Sequence, residues 1–180
     1  MTDPVLIRPL EPADAQAYRG LRLEALAASP EAFGSSYEEE EPLSLETIRR
    51  RIAASGPNVI FGAFAGNRLV GMAGFAVYDR KKAAHKGVMW GVYVQAEWRG
   101  QSLGKRLVQR VIDHAAQHVI MLEAAVGISN ESARRTYHAL GFKPYGIERK
   151  AIRVGDVFYD EELLCIEFEE PSETRSRGTA

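Results

Sequence analysis

The chain has 180 residues and a formal net charge of −1, with 46% hydrophobic and 26% charged residues. These values are typical of a one-domain globular protein and exclude collagen-like and low-complexity chains. The near-zero net charge gives no general attraction to nucleic acid or to an anionic membrane, so neither is expected as a partner.

Cysteine usage and the first residues bear on the cellular setting. The single cysteine, Cys165, excludes a disulfide framework and a CxxC zinc site. The start of the chain lacks the basic and apolar segments of a secretory signal, and its longest apolar run, 69–78, is too short to span a membrane. We therefore expect a cytoplasmic protein with a single domain over 1–170 and a disordered polar tail over 171–180.

The N-terminal part of the chain combines one strand with two helices. Residues 5–8 predict a short strand, and apolar residues at helical spacing predict a helix over 12–28. The segment 31–42 contains glycine, serines and four consecutive glutamates, which is typical of a solvated loop. A more polar helix is predicted over 45–54 and ends before Gly56-Pro57.

From residue 59 the apolar pattern becomes that of strands. Residues 59–65 and 69–78 are apolar runs separated by Gly66-Asn67-Arg68, which predicts a hairpin. A charged break follows, and residues 87–94 predict the next strand.

The C-terminal half alternates helices with strands. A helix with one apolar face is predicted over 103–115 and a second helix over 130–140, with strands over 119–126, 142–148 and 157–168. Hairpins interleaved with crossover helices require antiparallel and parallel pairs. The order therefore predicts an α/β (mixed α+β) fold, a mixed sheet of about seven strands flanked by helices.

One strand-to-helix turn concentrates small and basic residues. The strand ends at Val94, and between Arg99 and Arg110 there are four Lys or Arg residues and no acidic residue. Main-chain N–H groups at the start of a helix favour anions, so this turn indicates a phosphate site. An ordinary turn followed by a solvated basic helix face is the alternative.

Three known motifs can be compared with this turn. The Walker pattern fails because only three residues separate Gly100 from Gly104, and the dinucleotide pattern GxGxxG is absent. Residues 100–104 do spell GxSxG, the nucleophile elbow of α/β-hydrolases, with Ser102 as the nucleophile. An elbow serine directly follows its strand, whereas residues 95–99 intervene here, so this motif disfavours a serine hydrolase without excluding one.

Two segments resemble the motifs of GCN5-related N-acetyltransferases. The acetyl-CoA motif, Arg/Gln-x-x-Gly-x-Gly/Ala, is matched by Arg99 and Gly104, with Ser102 where glycine is usual. Residues 130–142 resemble the Asn-x-x-Ala-x-x-x-Tyr-x-x-x-Gly-Phe signature at every named position. The order of elements agrees over 5–168, so the resemblance covers nearly the whole chain.

The resemblance implies an enzyme that transfers the acetyl group of acetyl-CoA directly to a primary amine of a small molecule or a peptide, in a ternary complex. It also implies a mostly antiparallel sheet with a splay between its two central parallel strands. A non-catalytic acyl-CoA-binding sensor with the same fold is the alternative. Family members are often dimers, so the resemblance leaves a homodimer open.

The same resemblance implies where the cofactor binds. The pyrophosphate would rest on the main chain of the turn, and the pantetheine would pair with the edge of the preceding strand as an added strand does. The residues so implied are Val92, Tyr93, Val94, Arg99, Gly100, Gln101, Ser102, Leu103, Gly104, Lys105, Asn130 and Tyr137. A strand N–H near Val94 would hold the oxyanion. Asn130 is also a good N-cap for the helix that follows, which is its structural alternative.

The resemblance also implies a general acid, Tyr137, which would protonate the departing thiolate; a core tyrosine is the alternative. The family's usual base, a glutamate, is replaced by Ala125. Glu123 shares that strand face and is the first candidate base, with a partner-paired carboxylate as its alternative. His85 is a second candidate, and a water relay without a single base is a third.

The acceptor site of the family lies between the early helices and the loop joining the last two strands. The residues so implied are Phe33, Ser35, Tyr37, the run Glu38–Glu41, Tyr145, Tyr159 and Asp160, with Trp90 near the splay. Four glutamates could attract a cationic amine, but a run of charged residues is usually a solvated loop. The histidines share no ligand spacing with carboxylates, so no metal is expected.

Overall fold

The computed structural model describes residues 5–169, so the polar tail predicted over 171–180 lies outside the described residues. Within that range seven strands form one sheet in the order β1-β2-β3-β4-β5-β7-β6. The strands are β1 (Leu6–Pro9), β2 (Val59–Ala65), β3 (Arg68–Val77), β4 (Lys86–Val94), β5 (Met121–Gly127), β6 (Lys143–Val154) and β7 (Val157–Glu167). The helices are α1 (Ala15–Ala28), α2 (Tyr37–Glu40), α3 (Leu45–Ile52), α4 (Leu103–Ala115) and α5 (Glu131–Ala139). The mixed fold predicted from the sequence is confirmed.

The strand pairing follows from the connections along the chain. The two-residue turn Gly66-Asn67 joins β2 to β3, with Gly66 at φ 57°, so these strands are antiparallel. Helix α4 crosses between β4 and β5, and these two strands pair in parallel. The other neighbouring pairs in the sheet are antiparallel.

Helices cover the two faces of the sheet unequally. On one face α4 buries Leu107 and Val111 completely against the sheet, and burial of side chains of this size stabilises by roughly 1.5–3 kcal/mol each. On the other face α1 and α3 form a second core with β2 and β3. Beyond β4 on this second face, the 3-10 turn Pro30–Ala32 packs against β5 and β6. We call the surface of β5, β7 and β6 on this side the open face.

Two predicted segments differ from the structure. Residues 31–42 are not a plain loop, because they contain α2, whose start is fixed by a capping box between Ser36 and Glu39. Glu40 of the glutamate run is buried, so the prediction of a solvated run is wrong at that position. Strand β6 continues to Val154 through an irregular stretch opposite Asp160, well beyond the predicted end at 148.

No helix in the described part of the chain is long and apolar enough to cross a membrane.

Candidate active site

A cleft of about 310 Å³ opens where β4 and β5 part. The two strands pair only from Lys86 to Val88 on β4 and from Met121 to Glu123 on β5. Beyond these pairs, the rest of β4, the end of β5, the start of α5 and the first turn of α4 line the cleft. The cleft is therefore the predicted splay, and it is bordered by main chain on both sides.

A bulge in β4 produces one wall of the cleft. On β4, Trp90 pairs with Gly74 of β3, and Tyr93 pairs with Met72. Between these two pairs β4 has two residues, Gly91 and Val92, whereas β3 has only Ala73. Gly91 adopts φ 65°, a conformation that favours glycine. A bulge bends a strand and increases its twist, which turns this part of β4 away from β5.

The side chains of β4 next to the bulge serve the core rather than the cleft. The hydroxyl of Tyr93 donates to Glu24 Oε1 at 3.1 Å, and burial followed by this hydrogen bond raises the pKa of Tyr93. Val94 is buried, and its carbonyl accepts a hydrogen bond from Arg99 Nε at 2.9 Å. Val92, Tyr93 and Val94 all line the cleft, where the pantetheine contact is predicted.

The turn that leads into α4 has two residues with left-handed backbone. Gly100 lies at φ 75° and Ser102, the N-cap of α4, at φ 59° and ψ 14°. The Ser102 side chain caps no N–H group of the helix, so the main chain at the start of α4 is not blocked by it. Ser102 therefore adopts a left-handed conformation that favours glycine, at a cost of roughly 1–2 kcal/mol for a residue with a side chain.

The other residues of the turn differ in their burial and in whether they line the cleft. Arg99 and Gly104 line the cleft, and the guanidinium of Arg99 also lies over the Tyr93 ring. Leu103 is buried in the core, so only its main chain is available to a ligand. Gln101 and Lys105 are exposed at the mouth of the turn. The turn offers an anion the N–H groups and the positive end of the α4 dipole.

The two signature residues of α5 also line the cleft. Asn130 accepts a hydrogen bond from the Ala133 N–H at 3.1 Å, so the cap interpretation is correct, and it still borders the cleft. Tyr137 is 7% exposed and packs on Phe142 with ring centroids 5.6 Å apart. Burial raises the pKa of Tyr137 above its ordinary value, so the phenol stays protonated at neutral pH.

The first candidate base, Glu123, does not reach the cleft. Its carboxylate accepts hydrogen bonds from Tyr78 Oη at 2.7 Å and from Lys86 Nζ at 2.8 Å, at the last residue pair between β4 and β5. Burial raises the pKa of Glu123, but the hydrogen bonds from Lys86 and Tyr78 outweigh it and the net pKa is lowered. Glu123 is a paired carboxylate in this structure. His85 precedes β4 and its carbonyl accepts from the Ile120 N–H, so it too lies at this closed end.

A second cavity, of about 800 Å³, adjoins the cleft on the open face. It runs between the segment from Pro30 to Glu39 and the end of β6 at 151–155, and Phe33 borders both cavities. Ser35 and Tyr37 line this groove, whereas Tyr145 is exposed on β6. Asp160 instead accepts from the Lys150 N–H at 2.8 Å and fixes the irregular stretch of β6. Trp90 borders the cleft.

Two charged residues of this region were missed by sequence reasoning. Arg22 is 5% exposed, and its guanidinium binds Glu40. It also lies close to the bulge of β4, because a Cβ added to Gly91 would lie 3.7 Å from its Nη1 atom. Arg22 lies four residues after Tyr18, on the apolar face of α1, and this spacing could have indicated that Arg22 is buried. Glu161 lies on β7 opposite Gly127, and no local pattern indicates that neighbour.

Comparisons with known proteins agree with this geometry. The model of the acetyltransferase (GNAT) family matches residues 23–142. The N-alpha-acetyltransferase RimI of Mycobacterium tuberculosis is 31% identical over 153 residues, which are 85% of this chain and 87% of the relative.

Solved structures of similar shape include a GNAT-family acetyltransferase from Streptococcus pneumoniae, with a TM-score of 0.81 and 22% identity, covering 92% of this chain and 100% of that one. YncA from Salmonella typhimurium, solved with its cofactor acetyl-CoA, has a TM-score of 0.82 at 17% identity and covers 97% and 99% of the two chains. At these identities the two structures show a shared fold.

The family match over most of the chain and the RimI relative settle the family. The chain belongs to the GNAT family, as an acetyltransferase that uses acetyl-CoA as its co-substrate.

Proposed function

We propose that this enzyme transfers the acetyl group of acetyl-CoA directly to a primary amine while both substrates are bound. The observation that carries this proposal is the cleft, which joins the N-terminus of α4 at one end to the open-face groove at the other. Two substrates can therefore enter from opposite sides and meet beside Tyr137. A direct transfer needs no covalent acyl-enzyme, and Cys165, on β7, is not among the residues lining the cleft.

Acetyl-CoA would occupy the side of the cleft that faces α4. Its pyrophosphate would accept hydrogen bonds from the main chain between Arg99 and Lys105, where the helix dipole is positive. Its pantetheine amides would pair with β4 from Val92 to Val94, whose main chain has no β5 partner. Asn130 would contact the pantetheine from the opposite wall.

The chemistry would take place at the bulge of β4. A main-chain N–H of the bulge would stabilise the oxyanion that forms when the amine attacks the thioester carbonyl. The thiolate would leave with the electrons of the broken carbon–sulfur bond and take a proton from Tyr137. The ordinary pKa is about 10 for a tyrosine phenol and about 8.5 for a thiol, so this proton transfer costs roughly 2 kcal/mol. The raised pKa of Tyr137 increases that cost.

The amine acceptor would enter through the open-face groove between α2 and the end of β6. This groove is large enough for the end of a peptide as well as for a small amine. RimI of Mycobacterium tuberculosis is named an N-alpha-acetyltransferase, which supports including peptides with a free α-amino group among the first acceptors to test.

The cofactor site can be tested with a charge placed in the turn. Ser102→Asp adds a negative charge at the N-cap of α4 and should weaken acetyl-CoA binding by roughly tenfold or more through repulsion of the pyrophosphate. Ser44→Asp is the matched control, because Ser44 is the N-cap of α3, away from the cleft. Calorimetric titration gives both affinities, and equal binding by the two variants would contradict the assignment.

The transfer itself is tested by coenzyme A release with an N-terminal alanine peptide and with spermidine. Release above the rate of hydrolysis supports the proposed function. Binding of acetyl-CoA without any amine-dependent release would favour the alternative of a non-catalytic acyl-CoA sensor.

A further inference from the structure

Glu161 occupies a distinctive place on the open face. It lies on β7 opposite Gly127 of β5 and beside Glu148 of β6. The next residue, Glu162, points to the other face and binds side chains of α5. Because neighbouring side chains of a strand alternate, Glu161 projects onto the open face, as Ala125 does.

Glu161 is close to the cleft because of this pairing. Ala125 and Gly127 both line the cleft, and Gly127 has no side chain to separate Glu161 from it. The 3-10 turn Pro30–Ala32 packs over β5 and β6 and contributes Ala32 to the same cleft. Glu161 does not itself line the cleft, but its strand partner Gly127 does, so Glu161 lies one strand away from the cleft wall on the acceptor side.

The charge environment of Glu161 differs from that of the other buried carboxylates. Glu40, Glu123 and Glu162 each form an ion pair with at least one cationic side chain. Glu161 is partly buried, yet it makes no hydrogen bond or ion pair with another described residue. Burial and then the charge of Glu148 raise the pKa of Glu161. A carboxylate held without a counter-ion next to a reaction cleft is available to take up a proton.

We propose that Glu161 is the general base that removes a proton from the acceptor amine, directly or through one water molecule. This inference rests on the proposed function. It assigns a carboxylate to the acceptor side of the cleft, where Ala125 supplies none. Glu123 lies at the closed end and is engaged by Lys86.

The acceptor ammonium gives one proton to the Glu161 carboxylate, and its free electron pair forms the nitrogen–carbon bond to the thioester carbonyl. When the intermediate collapses, the carbon–sulfur bond breaks and the sulfur receives the Tyr137 proton. The second proton on nitrogen passes through water to the Tyr137 phenolate and restores it. Glu161 then releases the proton that it took up, so one proton is released in total.

The titratable groups around Glu161 are few. Strand β6 brings Glu148, and β7 itself carries Tyr159 on the same face. The 3-10 turn that packs on β5 and β6 carries Glu31. Strand β5 contributes Gly127 and Ala125, which carry no charge. Changing Glu148 therefore alters the nearest charge without touching the proposed base.

The first test compares Glu161→Gln with Glu167→Gln. Glu167 lies on the same strand and face but at its far end, opposite Met121, so it is the matched control. With the alanine peptide and spermidine as acceptors, Glu161→Gln should lower kcat by about 100-fold or more and leave the acetyl-CoA Kd unchanged. Retention of more than roughly a third of kcat would overturn the proposal.

A pH profile separates a base from a merely structural carboxylate. Glu148→Gln removes the like charge beside Glu161 and so lowers its pKa. The acidic limb of kcat/KM should move to lower pH in Glu148→Gln, and an unmoved limb would count against Glu161 as the base.

A stability measurement tests the environment of Glu161 independently of the acceptor. Because the folded-state pKa of Glu161 is raised, its charged form destabilises the fold at neutral pH, and this penalty disappears as the pH falls below the ordinary pKa. Glu161→Gln should therefore raise Tm at pH 7, with the gain vanishing near pH 4. A lower Tm at pH 7 would show a structural role and overturn the proposal. Absence of transfer by the wild type to either acceptor would instead refute the proposed function.

Discussion

The buried carboxylate of Glu40 holds α2 against α1 and α3, and we expect Glu40→Gln to be strongly destabilising. Oε1 of Glu40 accepts hydrogen bonds from Arg22 Nε at 3.1 Å and Nη2 at 2.8 Å, and Oε2 accepts one from Arg51 Nη1 at 2.8 Å. The side chains of Arg22 and Glu40 are only 7% and 6% exposed. Glutamine preserves the volume but leaves the Arg22 cation buried without its counter-charge.

The expected loss follows from that geometry. Removing one partner of a buried ion pair typically costs about 3–5 kcal/mol, because the remaining charge is left uncompensated. That is a large part of the roughly 5–15 kcal/mol by which native proteins are stable. For a chain of this size, 1 kcal/mol corresponds to about 2–4 °C in Tm, so Tm should fall by roughly 6–20 °C.

Urea unfolding followed by circular dichroism measures this free energy. Glu38→Gln is the matched control, because it makes the same change in the same glutamate run at an exposed position, where about 0.5 kcal/mol or less is expected. If the unfolding free energies of the two variants agree within about 1 kcal/mol, the reasoning about Glu40 is refuted.

The pH dependence gives a second check on the same pair. Burial raises the pKa of Glu40, but the hydrogen bond and charge of Arg22, with the charge of Arg51, outweigh it and the net pKa is lowered. A lowered folded-state pKa means that the charge stabilises the fold above the ordinary pKa and that this stability is lost as the pH falls through the folded value. The gap between wild type and Glu40→Gln should therefore shrink as the solution is acidified below the ordinary pKa of 4.5.

Three further substitutions test the turn and the cleft. Ser102→Gly should stabilise the fold by about 0.5–1 kcal/mol, because the relief of left-handed strain exceeds the backbone entropy that glycine adds to the unfolded chain; a lower Tm in calorimetry would contradict this. Tyr137→Phe should lower kcat by about tenfold or more with an unchanged acetyl-CoA Kd, and equal turnover in steady-state assays would remove Tyr137 as the acid. Glu123→Gln should keep kcat within about threefold of wild type, since its carboxylate is engaged by Lys86 and Tyr78; a loss as large as that expected for Glu161→Gln would restore Glu123 as the base.

Most of the sheet and the long helices could be predicted from local periodicity. Helix α4 and the hairpin of β2 and β3 have patterns that their own residues determine. Helix α2 has one turn and no apolar face, so only the Ser36 and Glu39 capping box signalled it. Strand β6 lacks alternation over much of its length, and its extension to Val154 depends on pairing with β7.

The candidate site also contains residues that local motifs indicate and one residue that they do not. Motifs indicated Arg99, Gly104, Asn130 and Tyr137 as lining residues of the cleft, because each lies in one local turn or one helix. The place of Glu161 depends on the register between β5 and β7, which are separated along the chain by α5 and β6. A register between distant strands is fixed by the assembled sheet, so no spacing in the sequence could bring Glu161 beside Gly127.

The opening between β4 and β5 is compatible with a stable sheet because other elements hold both strands. Helix α4 packs under β3 and β4, and its core continues to Leu122 and Ala124 of β5, so the layers stay joined beneath the cleft. Above this core the bulge at Gly91 twists β4 outward, which leaves the main chain of Val92 to Val94 without strand partners in β5. Although Arg99 Nε donates to the Val94 carbonyl, main-chain groups of this stretch that lack a partner favour a ligand that carries amides of its own, and the pantetheine arm of acetyl-CoA is such a ligand. The same local geometry thus opens the sheet and provides the strand edge to which the proposed cofactor contact is assigned.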